Sequence, residues 1–231
     1  QLGETNVSEG PYYSVIKNFP RSALIPDCHL AIGEMRYEKK KFADALDHFL
    51  AVKKYPWSKV YPYGLYKAAW SKYNLHQNDG ALQLLEETVA FGRKVQKEGL
   101  EARLDLRRES LMDMTLFYED VRESKDAYSY FKNQSGDLEV GPFILKMAFI
   151  YERHSRFKDL ENVLQDYLRN DPMSPKRPQA HYTLVMNYEE MREREKSLQQ
   201  MIALNDVCSP KSDWSKANGV KEEKGSGVKI S

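Results

Sequence analysis

The sequence predicts an all-α chain built from antiparallel helix pairs, and three observations point there. Slid along itself by 36 positions, Gly33 falls on Ala69, Tyr37 on Tyr73, Ala45 on Ala81, Phe49 on Leu85 and Pro20 on Pro56. Self-similarity at a fixed period of this size marks a stacked repeat. Apolar residues recur at helical spacing, as in Leu65, Ala68, Ala69 and Trp70 or Leu160, Val163, Leu164 and Tyr167. Strict alternation over strand length is scarce.

Composition bounds the function classes. The chain has 231 residues, 41% hydrophobic and 30% charged, a folded rather than a disordered profile. Its formal charge is +1, from 35 basic and 34 acidic residues, so no whole-chain electrostatic case exists for nucleic acid or an anionic membrane. No apolar run approaches the roughly 18 residues a membrane span needs. The chain starts at Gln1 without a basic-then-apolar leader, so a processed or truncated product is expected and any address signal lies outside it. Cys28 and Cys208 read either as two free, buried thiols or as one disulfide; the spacing leaves both open.

The elements follow in order. Residues 1–10 read as an N-terminal extension. "PYYSVIKNFP" (Pro11 to Pro20) reads as only the second helix of a preceding unit. "IGEMRYEKKKFADALDHFLAVKKYP" (Ile32 to Pro56) is the first full unit: a small residue (Gly33), an aromatic (Tyr37), Ala45, a bulky Phe49 and an exit proline. Ala69, Tyr73, Ala81 and Leu85 repeat it. Thr115, Tyr118, Ala127 and Phe131 give a looser third unit. The 46 positions from Ala81 to Ala127 exceed one period, and Ala90 to Glu101 supplies the surplus as a loop or a lengthened helix. Ala148, Tyr151, Phe157, Leu160, Leu164, Tyr167 and Pro172 form the fourth unit; Val185, Tyr188, Ser197 and Met201 form the fifth. Prolines at 56, 62, 172, 175 and 178 punctuate the boundaries, with Pro62 at a helix start. The array spans residues 11–207. Residues 208–231 read as a capping segment, with Trp214 covering an apolar end, and a Gly/Ser/Lys-rich flexible tail.

Catalytic patterns are sparse. His29, His48, His76, His154 and His181 show no i, i+4 pair, and no Cys-x-x-Cys, Gly-rich phosphate loop or Gly-x-Ser-x-Gly elbow occurs. Glu86/Glu87 and Glu189/Glu190 read as solvated helix faces. "GRKVQKEGLEARLDLRRES" interleaves its basic residues with acids and reads as a salt-bridged face. The expectation is no enzyme, no metal and no cofactor.

The register of small residue, aromatic, Ala, bulky residue and Pro resembles the tetratricopeptide repeat, a 34-residue helix–turn–helix unit. The resemblance implies a right-handed superhelical solenoid whose first helices (A helices) line a concave groove for a peptide or partner domain. The positions three before, one after and four after the small residue then give the groove. They include Tyr37; Tyr66, Trp70 and Tyr73; Leu116 and Glu119; Phe149 and Glu152; Tyr182 and Met186, with Asn74 adjoining. The expected floor is aromatic and the walls acidic (Glu34, Glu38, Glu119, Asp120, Glu152, Glu189, Glu190), against Arg153. Such a groove suits a protein or peptide carrying basic and apolar residues. Within α-helical "YPYGLYKAAWSKYNL", Leu65, Ala68 and Ala69 pack while Tyr66, Trp70 and Tyr73 form the groove stripe. The Lys and Asn with which chaperone-binding members hold a C-terminal carboxylate are largely missing.

"YGLYKAAWSKYNL", "ARLDLRRESLMDMTLFYEDV" and "AYSYF" are similar to bacterial envelope-associated tetratricopeptide proteins, including gliding-motility and outer-membrane assembly components. That implies a bacterial source and a periplasmic or envelope setting over a cytoplasmic one. Three functions compete: a binding scaffold, a self-assembling structural module, and the helical domain of a larger enzyme.

Overall fold

The structure is a computed structural model describing residues 8–99 and 104–219. The N-terminal extension up to residue 7, part of the 90–101 segment and the tail from residue 220 lie outside the described residues. The helices are α1 (Gly10–Asn18), α2 (Ile25–Glu38), α3 (Phe42–Val52), α4 (Tyr61–Asn74), α5 (Asn78–Lys97), α6 (Arg107–Val121), α7 (Ala127–Ser135), α8 (Gly141–Arg153), α9 (Phe157–Asn170), α10 (Arg177–Glu190), α11 (Arg194–Cys208) and α12 (Asp213–Ala217). No strand occurs among the described residues.

Two local devices set the repeat. The first is the turn inside each pair. Lys40, His76, Ser155 and Arg192 are left-handed, with φ of 57°, 58°, 56° and 58°. In each, the next residue's N–H reaches back five positions: Lys41 to Arg36 at 2.9 Å, Gln77 to Lys72 at 2.9 Å, Arg156 to Tyr151 at 2.8 Å, Glu193 to Tyr188 at 2.9 Å. This closes the outgoing helix as a Schellman motif. The following helix starts two residues after the left-handed one, so each pair folds back antiparallel.

The second device joins the pairs. "FPRSALIP" (19–26), "YPWSKVYP" (55–62) and "DPMSPKRP" (171–178) share Pro-x-Ser-x-x-x-Pro. The serine Oγ accepts the N–H two residues on, at Leu24 (3.2 Å), Val60 (3.3 Å) and Lys176 (3.1 Å). The second proline sits in the first helical turn, where its missing N–H costs nothing. Pro142 does the same for α8.

The helices divide into two compact units, Gln1–Val121 and Arg122–Ser231. In the first, α1 packs on α2, α2 on α3, α3 on α4, α4 on α5 and α5 on α6. Ile32, Phe49, Leu65, Leu82 and Leu85 are fully or almost fully buried there. Gly33 lies where α2 crosses α3: a Cβ there would meet the Phe49 ring at 2.6 Å. α5 is the lengthened helix, running 20 residues to Lys97. In the second unit α7 packs on α8 and α9, and α8, α9, α10 and α11 pack in sequence around Ile144, Leu164, Tyr167 and Leu184. α12 follows α11, and the Trp214 indole donates to the Ser174 carbonyl at 2.7 Å.

The unit boundary falls inside the third pair of the sequence register. A 3-10 turn (Ser124–Asp126) stands between α6 and α7, and no left-handed residue occurs in this described stretch. α6 belongs to the first unit and α7 to the second. Both cysteines are free; Cys28 is buried, but Cys208 is exposed at the end of α11, correcting the reading of two buried thiols.

Candidate functional site

In the first unit the A helices are α2, α4 and α6. α4 splits by face. Leu65, Ala68 and Ala69 are buried, whereas Tyr66, Trp70, Tyr73 and Asn74 are half-buried. Helical geometry puts 66, 70 and 73 on one stripe and 65, 68 and 69 on the next.

The stripe is tied to α6. The Asp113 Oδ2 accepts from the Tyr66 hydroxyl at 2.5 Å and from the Trp70 indole at 2.9 Å. Phe117 stacks on Tyr73 at 4.4 Å and meets Trp70 edge-on at 5.2 Å. Toward α2, Asn74 donates to the Tyr37 hydroxyl at 3.0 Å, and the Lys67 ammonium lies 4.2 Å over the Tyr37 ring. Tyr63 stacks on Tyr66 at 6.4 Å. The aromatic face is therefore half exposed surface and half contact between A helices.

Carboxylates border this face, with the Lys67 ammonium over Tyr37. Burial, then the Asp113 hydrogen bond, pushes the Tyr66 phenol far above its ordinary range, with Glu109 adding to it. Burial and Glu34 raise Tyr63; burial, Asp120 and Glu119 raise Tyr73. Burial raises Tyr37 against the opposing Asn74 bond. Carboxylates that disfavour a phenolate next to these rings also favour a cation there. Glu38, Glu109 and Asp120 are exposed and Glu34 is half-buried. Glu119 is buried, a correction to its place on an exposed acidic wall: it follows Thr115 by one turn on the packed stripe of Leu111, Thr115 and Tyr118. Leu116 is half-buried on α6.

In the second unit the A helices are α8 and α10. Phe149, Tyr182 and Met186 are 50%, 56% and 43% exposed. Glu152, Arg153, Glu189 and Glu190 are exposed as well. Phe149 and Met186 lie six positions before their left-handed residues, as Trp70 does; Tyr182 matches Tyr66. Lys146 lies 5.4 Å from the Phe149 centroid.

Asp113 and Phe117 were missed by the sequence register, which looked only three before, one after and four after the small residue. The signal was present. Asp113 holds the position on α6 that Lys67 holds on α4, and both reach back to aromatics of the preceding A helix. Among the described residues no group of three His, Cys, Asp or Glu is placed to hold a metal ion, and no helix is long and apolar enough to cross a membrane.

No protein-family model and no curated protein matches the chain. Solved structures do. YrrB, "a TPR protein with an unusual peptide-binding site", is 13% identical with a TM-score of 0.46, covering 94% of this chain and 100% of its own. A Podospora anserina kinesin light chain-type protein with nearly identical TPR-like repeats is 14% identical, with a TM-score of 0.43 over 83% of this chain and 100% of its own. MamA from AMB-1 is 12% identical, with a TM-score of 0.40 over 87% and 100%. This chain resembles tetratricopeptide-repeat proteins. Its helix-pair register rests on its own four left-handed turns and three Pro-x-Ser-x-x-x-Pro linkers.

Proposed function

We propose that the protein is a non-enzymatic scaffold that holds a partner protein or peptide against its A-helix faces, and that the partner combines basic with apolar residues. The observation that carries this is the α4 stripe. Tyr66, Trp70 and Tyr73 are held rigid by Asp113 and Phe117, with Glu34, Glu109 and Asp120 beside them. Rigid aromatics supply contact area at low entropic cost, and surrounding carboxylates select cations. Phe149, Tyr182 and Met186 offer exposed apolar contact on the second unit's A helices.

The test is a peptide array probed with the full chain. Basic–apolar peptides bind in preference to acidic–apolar ones, and Phe149→Ala with Tyr182→Ala weakens binding while the melting curve holds. These two positions are the cleaner probes, because Trp70 and Tyr66 also tie α4 to α6. Equal binding of both peptide classes removes the reading. A bacterial envelope or motility assembly is the setting we infer from the segment resemblance alone, and fractionation of the host tests it.

A second reading, self-assembly, has one observation in its favour. Leu198 and Met201 on α11 are 58% and 45% exposed, while the equivalent Leu46, Phe49, Leu82, Leu85 and Leu164 are at most 9% exposed. Concentration-dependent sedimentation distinguishes it from the first.

A further inference from the structure

The linkers that join α1 to α2 and α3 to α4 lie at one end of the first unit. α2 packs on α3 and α3 on α4, so α2 and α4 run in the same sense, touch each other, and both begin at that end. Residues 17–24 (KNFPRSAL) and 53–60 (KKYPWSKV) hold five basic residues and no carboxylate. The whole-chain charge of +1 hides this local separation. Lys53 is paired with Glu87 at 2.7 Å. Lys17, Arg21, Lys54 and Lys59 are exposed and make no ion pair among the described residues.

Large apolar side chains stand among these cations. Phe19, Leu24 and Trp57 are 63%, 60% and 55% exposed. Val15 and Pro20 extend the apolar surface between Phe19 and Leu24. The linker backbone that carries them is fixed by the Ser22 and Ser58 hydroxyls and by the prolines that open α2 and α4, and Trp57 meets Tyr55 edge-on at 5.9 Å. Packing does not account for the exposed side chains, because Ile25 and Pro26 already make the buried contact of their linker. Nor does the repeat require them. In the second unit's linker, Asp171 stands where Phe19 does and Lys176 where Leu24 does.

We propose that this end of the first unit docks on an anionic lipid bilayer, with Phe19, Leu24 and Trp57 entering the interface and Lys17, Arg21, Lys54 and Lys59 meeting lipid phosphates. Aromatic rings settle at headgroup level, and long basic side chains keep their charge at the phosphates while their stems lie in the apolar layer. Such binding adds buried apolar area to the attraction for anionic lipid. A protein partner fits less well, because lysine is depleted in protein interfaces. The Tyr66, Trp70 and Tyr73 stripe lies further along α4, so the lipid-docked chain keeps its partner face.

Flotation of the full chain with vesicles tests this. The chain floats with vesicles of equal parts phosphatidylcholine and phosphatidylglycerol, stays behind with phosphatidylcholine alone, and detaches as salt is raised. Lys54→Glu with Lys59→Glu lowers partition by at least about tenfold, as does Phe19→Ser with Trp57→Ser, and the melting curves hold because all four side chains are exposed. Absence of flotation with the mixed vesicles overturns the proposal. Undiminished flotation of either variant does so too, since the reading requires both charge and apolar insertion. Capture of polyglutamate or single-stranded DNA without flotation assigns this end to an acidic polymer and overturns the lipid reading.

Discussion

The Tyr66 hydroxyl donates to the Asp113 carboxylate at 2.5 Å, joining one A helix to the next, and the same oxygen takes the Trp70 indole N–H. One carboxylate thereby fixes two rings of the proposed binding face. Asp113→Ala is expected to destabilise the first unit by about 1–3 kcal/mol, the range for hydrogen bonds to a charged group and for donors left unsatisfied. Asp113→Asn keeps an acceptor, costs less, and lowers the Tyr66 phenol toward its ordinary value because the adjacent charge is gone. Denaturant titration and ultraviolet tyrosine titration read the two effects.

Gly33 is a close-approach position, its hypothetical Cβ lying 2.6 Å from Phe49 Cε1 and 2.7 Å from Cδ1. Gly33→Val overpacks the α2–α3 crossing and is expected to cost about 1–3 kcal/mol. Phe49→Leu in the same chain recovers part of that loss. A double-mutant cycle that sums additively would show that the two residues do not meet.

The left-handed turn residues carry strain that glycine lacks, about 1 kcal/mol at a non-glycine position. Ser155→Gly, at φ 56°, is expected to stabilise the second unit by about 0.5–1 kcal/mol, and Ser155→Val to destabilise it. Thermal melts of the two variants should move in opposite directions.

Much of this register was legible in the chain. Small residues at Gly33, Ala69 and Ala148, each seven positions before a left-handed turn, and bulky ones at Phe49, Leu85 and Leu164 follow directly from helix-crossing sterics. The facial split of α4 was legible for the same reason. The break at the third pair was not, because Ala127 and Phe131 keep the spacing although the chain turns there by a 3-10 segment instead of a Schellman motif. Asp113 escaped because a single acid on a polar helix looks solvated until the neighbouring helix supplies its donors. Glu119 misled for the converse reason: charge suggested exposure, while its helical phase buries it.

His181 is buried on α10, its Nδ1 2.8 Å from the Gln200 side chain. Burial, then Arg177, lowers it, against the Gln200 bond. Since the unfolded chain binds the proton more readily, the second unit loses stability as pH falls below about 6.5. Hydrogen exchange of α10 at pH 7.5 and 5.5 shows this, and His181→Gln should flatten the dependence. A steeper dependence in the variant would contradict the sign.

The central claim is that binding occurs on A helices. Hydrogen exchange of the full chain with and without a bound basic–apolar peptide tests it most directly. The account predicts new protection on A helices, α4 in the first unit or α8 and α10 in the second, and a loss of at least about tenfold in peptide affinity for the second unit's face when Phe149 and Tyr182 become alanine. New protection confined to α3, α5, α9 and α11 would contradict it.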